Sequence, residues 1–243
     1  MRVRSYYLDI YFLKIVVEYD LEIEEVWERE FSINKKHIMV GESYPWKEEL
    51  LKIAASLKYR LSQKRWSQRS SFLFEKEIFI SFYIIRKLIE SKTLSNRNLK
   101  LKIKCLFIPS TNYGSTYFNR HKLEKLFDFT KTREMKIELV TLCNQIIHSY
   151  IFEPAFDDEF NVFGFFVSSD ERRNKSLYLI LIDDIIKVFN IIGNDYPNAL
   201  SSLYNDNSKD YKVIQSMIKN IDDEKLHEKM VKSLHNKRFS TSV

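Results

Sequence analysis

Asn144 and His148 lie four residues apart in the stretch Glu134–Tyr150, EMKIELVTLCNQIIHSY. On a helix that spacing stacks one side chain above the other. An imidazole can take or give a proton near neutral pH, and a carboxamide beside it can hydrogen-bond it. At 3.6 residues per turn, Leu139, Cys143, Ile146, Ile147 and Tyr150 share an apolar arc. Glu134, Glu138, Thr141, Gln145 and Ser149 gather on the opposite side, which leaves Asn144 and His148 at the border. A polar pair at that border reaches a cleft without being stranded in the core. Arg86 is the third residue of interest, because its helix is apolar on most sides between Ile78 and Ile89. Such a cation needs a partner, either Glu90 at i+4 or a ligand in a cleft.

The elements that must position these groups are mostly helical in pattern. The spacing predicts helices over 6–30, 45–66, 72–94 and 134–151, with shorter ones over 120–129 and 183–192. Ser43 before Pro45 and Glu48-Glu49 is a good helix start. Leu99 to Phe107 alternates, with Lys100, Lys102 and Lys104 on one side, and reads as a strand; 160–168 and 176–182 read as a hairpin. The expected fold is therefore α+β but predominantly α-helical: one domain over 1–243, a helical bundle with a small antiparallel sheet inserted at 99–107 and 160–182. Residues 200–243 are expected as a polar, helical C-terminal extension, with weak helices near 209–220 and 222–235.

Composition sets outer bounds. The 243 residues are 44% hydrophobic, enough for a proper core, and only four glycines and four prolines favour long helices. With so few glycines, none at motif spacing, a phosphate-binding loop or dinucleotide fingerprint is excluded, and no serine sits in a nucleophile elbow. The formal charge of +6 favours anionic partners such as RNA or other nucleic acid. Lys58, Arg60, Lys64, Arg65 and Arg69, with Trp66 among them, end the 45–66 helix, and basic groups interleaved with aromatics suit a phosphate backbone with stacked bases. The alternative is that these cations serve only the helix C-terminus.

Cys105 and Cys143 lack metal-binding spacing and read as buried, reduced thiols of a cytoplasmic protein. The histidines are scattered, so neither metal nor cofactor is expected, although Asp157, Asp158 and Glu159 could hold a cation in their loop. No apolar run approaches the roughly 20 residues of a spanning helix, so no membrane partner is expected. The N-terminus resembles a signal peptide, but Asp9 and Lys14 interrupt it, and it reads as a core helix.

The segment LCNQIIHSY resembles the HEPN superfamily, helical-bundle proteins of bacterial toxin, antiviral defence and RNA-processing systems. Their motif is an Arg, usually followed by a polar residue, with a His four to six residues beyond the Arg. Asn144 occupies the polar position and His148 the His, while Cys143 stands where the family has Arg. The resemblance implies metal-independent RNA cleavage, with a site composed across a homodimer and a protein partner from the same system. It implies roles for His148 in proton transfer and for an arginine in steadying phosphate charge. Cysteine cannot do the latter; Arg86 could supply it. A chain that lost the arginine would be a non-catalytic interaction or scaffold subunit. Two further alternatives are a structural His148 bonded to Asn144, and a nucleic-acid-binding module using the 58–69 patch.

Overall fold

The computed structural model describes residues 43–205 and 209–239. The helix expected over 6–30 lies outside the described residues. Helix α1 (Tyr44–Arg60) begins with Pro45 in its first turn and buries Leu50, Ile53, Ala54 and Leu57 at helical spacing. It stops at Arg60 rather than near Trp66. Helix α2 (Gln68–Glu90) starts at Ser67, whose hydroxyl accepts from the Ser70 backbone N–H at 3.1 Å, and buries Phe74, Ile78, Phe82, Ile85 and Leu88.

The centre of the fold is a five-stranded antiparallel sheet, not a helical bundle, and this corrects the predominantly helical expectation. Its strands are β1 (Lys102–Pro109), β2 (Arg133–Glu138), β3 (Ser149–Phe156), β4 (Val162–Ser169) and β5 (Ser176–Leu181), in the order β2-β1-β5-β4-β3. Three of these fall where the sequence alternates. The other two, β2 and β3, replace the ends of the helix expected over 134–151. There, only Leu139–Ile147 is helical, as α5; α3 (Asn96–Leu99) and α4 (Leu123–Leu126) are single turns, and α6 spans Ile182–Gly193.

The cause is visible in the register. Met135 and Ile137 face Cys105 and Ile103 of β1, so the apolar alternation of EMKIE is satisfied by pairing across the sheet. Ile103, Cys105, Ile137, Phe165, Val167 and Ile180 form one face, buried together with residues of α1, α2, α5 and α6. At one end of the opposite face, Ile108, Ile151 and Leu177 pack with Leu123, Leu126 and Phe127 from the β1–β2 excursion.

The C-terminal expectation is corrected too. Ala199–Asn205 and Asp210–Ser216 form an antiparallel hairpin, β6 and β7, before helix α7 (Ile221–Phe239). The hairpin wins at 209–220 because Val213 and Ile214 are β-branched and the Tyr204 and Tyr211 rings meet edge to face across the strands at 5.1 Å. His227 fixes α7 to it, with its two ring nitrogens 3.1 Å from Ser201 Oγ and 2.9 Å from Ser216 Oγ. Among the described residues, no helix is long and apolar enough to cross a membrane.

Lys47 joins three parts of the helical layer. It is fully buried, donates to the carbonyls of Thr93 and Asp195, and lies 4.6 Å from the centre of the Tyr196 ring. The Asp195 carboxylate accepts from both the backbone N–H and the hydroxyl of Ser95. Burial pushes the Lys47 ammonium below its ordinary pKa, and the Asp195 charge opposes that shift. Lys47→Ala leaves two carbonyls without their donor and should cost about 3 kcal/mol or more, whereas Lys47→Met, which keeps the stem, should cost clearly less. Thermal denaturation followed by circular dichroism checks this order; equal losses would mean the ammonium holds nothing.

Candidate functional site

Helices α2 and α5 pack against each other, and this brings Arg86 to the motif segment. Arg86 Nη1 donates to the Asn144 side-chain oxygen, while Arg86 Nε donates to Glu90 at 2.6 Å. Arg86 thus pairs with Glu90 at i+4, as the spacing allowed, and also reaches Asn144 on α5. Its side chain remains 35% exposed, so the site meets solvent.

Cys143 is fully buried. Its thiol is pushed up to about 12, chiefly by burial, with the Arg86 guanidinium opposing. The position that holds Arg in the resembled motif is thus sealed here, and the nearby cation is supplied by α2. Asn144 is half-buried and bonded to Arg86 through its side chain. His148 caps the C-terminus of α5 and is exposed. Its backbone N–H donates to the Asn144 carbonyl at 3.2 Å, and its carbonyl accepts from the Asp170 N–H at 3.0 Å. Among the described residues, no hydrogen bond joins the His148 ring to the Asn144 side chain, whose oxygen accepts from Arg86.

These residues present a guanidinium, a carboxamide and an imidazole along one edge of α5. A depression of about 390 Å³ lies over β1 and β2, lined by Phe107, Arg133, Met135, Thr141, Arg172 and Tyr178 among others, and Arg86, Asn144 and His148 take no part in it. The chemistry at His148 is therefore that of an open edge.

Part of the 58–69 patch is committed to structure. Arg60 is buried and bonded through Nε and Nη2 to the two oxygens of Glu77, at 2.7 and 2.8 Å. Lys64 donates to Asn161 Oδ1 at 3.0 Å and lies 3.7 Å from Glu159. Trp66 packs edge-on against Phe74 and Phe156 and donates to the Gln63 carbonyl. Lys58, Arg65 and Arg69 stay exposed, as does the Tyr59 ring, while Trp66 is taken up by packing. Glu77 and Glu159 are the residues that sequence reasoning missed, since neither lies within the patch. The acidic loop is likewise internal: Asp157 Oδ1 accepts from the N–H groups of Glu159 and Asn161, and the Asn161 side chain holds the carboxyl below its ordinary range. Among the described residues, no group of three His, Cys, Asp or Glu side chains could hold a metal ion.

Two outcomes follow from the buried thiols. Burial pushes the Cys105 thiol to about 11, so both cysteines stay protonated at pH 8. Iodoacetamide should label neither in the native chain and both after denaturation, read by mass. Cys143→Arg, which would match the resembled motif, should destabilise by about 3 kcal/mol or more because it buries a charge, and a lowered melting temperature checks this.

Comparisons with protein-family models, curated proteins and solved structures found no match for this chain.

Proposed function

We propose that the chain is an RNA-directed protein of the HEPN-like kind found in bacterial defence and toxin systems, cleaving RNA without a metal at the Arg86–Asn144–His148 edge. The observation that carries it is the Arg86–Asn144 hydrogen bond: it brings a guanidinium from α2 to the residue four before an exposed histidine, beside the position where the resembled motif has its arginine. The resemblance then belongs to this segment and its neighbour α2, not to a helical bundle.

The RNA 2′-oxygen attacks the adjacent phosphorus as its proton passes to a base, the bond from phosphorus to the 5′-oxygen breaks, and that oxygen takes a proton from an acid. His148 serves one of these transfers and water the other. The products are a 2′,3′-cyclic phosphate and a 5′-hydroxyl. His148 suits either proton transfer. Arg86 suits the charge that builds on the phosphate oxygens, which a guanidinium fork matches geometrically.

A second reading has an observation of its own. Glu90 lies on Arg86 at 2.6 Å, and a carboxylate there both competes with and repels phosphate. A chain locked in that state is a non-catalytic subunit that holds RNA or a protein partner. In the first reading, Glu90 is a brake that RNA, a partner or a second copy of the chain displaces.

The purified chain, incubated with mixed RNAs in EDTA, should yield fragments ending in cyclic phosphate. His148→Ala should lose about a hundredfold or more in rate, and Arg86→Ala a similar amount. Glu90→Gln should raise the rate, since it releases the guanidinium. Equal cleavage by the parent and His148→Ala would place the chemistry elsewhere, and no cleavage by the parent or Glu90→Gln would favour the subunit. Sedimentation of the same samples decides whether a dimer is present.

A further inference from the structure

Three segments far apart in sequence meet around Tyr150. The loop over 110–122 carries Tyr113, Tyr117 and Phe118, which are 65%, 70% and 84% exposed. The Tyr117 and Phe118 rings touch edge to face with centroids 5.4 Å apart. The Arg120 guanidinium lies 5.3 Å from the Tyr117 ring centre and 5.8 Å from that of Tyr150. Arg173, from the β4–β5 turn, lies 4.4 Å from the same Tyr150 ring. Tyr150 is thus a ring attended by two cations, next to two rings left open to water.

The loop that carries these rings is fastened down. Ser115 N–H donates to Asn174 Oδ1 at 2.6 Å, and Ser110 N–H to the Lys175 carbonyl at 3.1 Å, both on the β4–β5 turn. Asn119 closes the loop on itself, accepting from Thr116 N–H and donating to the Gly114 carbonyl. Gly114 sits at φ +80°, where a side chain would be strained. Aromatic exposure of this size on a pinned loop is an arranged surface, and binding to it requires little further ordering.

The charge around it names the partner. Lys122, Lys125 and Lys175 are exposed and form no ion pair among the described residues. Asp170 lies 3.2 Å from Arg173, and Glu75 and Glu153 act on Arg120, so the cations are partly offset; the chain as a whole still carries +6. Flat open rings interleaved with guanidinium and ammonium groups match a polymer of flat bases on an anionic backbone, because every base has a face to stack and every phosphate a charge to pair. The surface also adjoins His148: Tyr150 is two residues further along the chain, and the turn that carries Arg173 begins at Asp170, bonded to the His148 carbonyl.

We propose that Tyr117, Phe118 and Tyr150, with Arg120 and Arg173, form a stacking platform for single-stranded RNA whose near edge is His148. This rests on the RNA-directed function proposed above and gives that site its substrate class, an unpaired strand.

The test is fluorescence anisotropy with a labelled single-stranded RNA whose 2′-oxygens are methylated, so that it binds but cannot be cleaved. The full chain should bind it with an affinity that falls steeply with salt, and should bind the same sequence as a duplex more weakly. Tyr117→Ala with Phe118→Ala should weaken binding about tenfold or more, while Tyr117→Phe with Phe118→Tyr should retain it. Arg120→Ala with Arg173→Ala should weaken binding and flatten the salt dependence. Phe72→Ala, at another exposed ring, should bind like the parent. Tyr117 and Phe118 are mostly exposed, so unchanged melting temperatures in their variants separate lost binding from lost folding. Parent-like binding by the Tyr117/Phe118 alanine variant, or equal binding of duplex and single strand, overturns the platform. If that happens while His148-dependent cleavage persists, the proposed function stands and only its substrate surface is wrong. Absence of any binding by the parent overturns the platform as well, and the cleavage assay then judges the other proposal by itself.

Discussion

A buried ammonium sets the corner from which the helical layer is built. Taking Lys47 out of water is costly, and among the described residues no carboxylate oxygen bonds to it directly; two carbonyls and one aromatic face stand in for its hydration. Those carbonyls belong to Thr93, just after α2, and Asp195, just after α6, so one side chain of α1 fixes where two other helices end. The Asp195 carboxylate repeats the device toward Ser95. Gly193 shows how little slack remains, since a β-carbon there would lie 2.7 Å from Leu51. With α1, α2 and α6 pinned this way, the rotation of α2 is set, and with it the direction in which Arg86 leaves the helix toward α5.

Much of this was legible in the sequence, and the failures share a cause. Helices α1, α2 and α6 bury faces long enough for the helical period to identify them, and β1 declares itself through Lys102 and Lys104 alternating with Ile103 and Cys105. The stretch from Arg133 to Phe156 fails because its apolar residues fit both periods. Met135 and Ile137 sit two apart for a strand, while Leu139, Cys143 and Ile146 fit a helix, and the chain changes period at Leu139. Only the partners in β1 decide which residues obey which, and a sequence does not show partners. In the same way, Arg86–Glu90 could be read from spacing within one helix, whereas Arg86–Asn144 depends on how α2 packs against α5.

The departure at Cys143 makes physical sense once the sheet is in place. A short helix held between two strands turns that position fully inward, between Leu139 and Ile146, where a guanidinium would have no water and no carboxylate. A small apolar thiol fits there. A cation is nevertheless brought to the edge of the same helix, from a neighbour long enough to reach over and stay partly solvated. Position 143 is apolar, and the charge at this edge comes from Arg86.

The two basic surfaces show why charge in sequence is a poor guide to charge in action. The 58–69 run is dense, yet Glu77 and Glu159 take up two of its cations and the core takes its tryptophan, because a helix end must be closed and a ring buried there. Around Tyr150, the two cations come from Arg120 and Arg173, 30 positions before it and 23 after, so no short window of sequence contains them together. There Tyr117 and Phe118 stay mostly exposed on a loop anchored by backbone and amide hydrogen bonds, while Arg120 and Arg173 lie over the half-buried Tyr150 ring. A surface available to a ligand is one whose groups the fold has not already used, and by that measure Tyr117 and Phe118 are open where Arg60 and Trp66 are not.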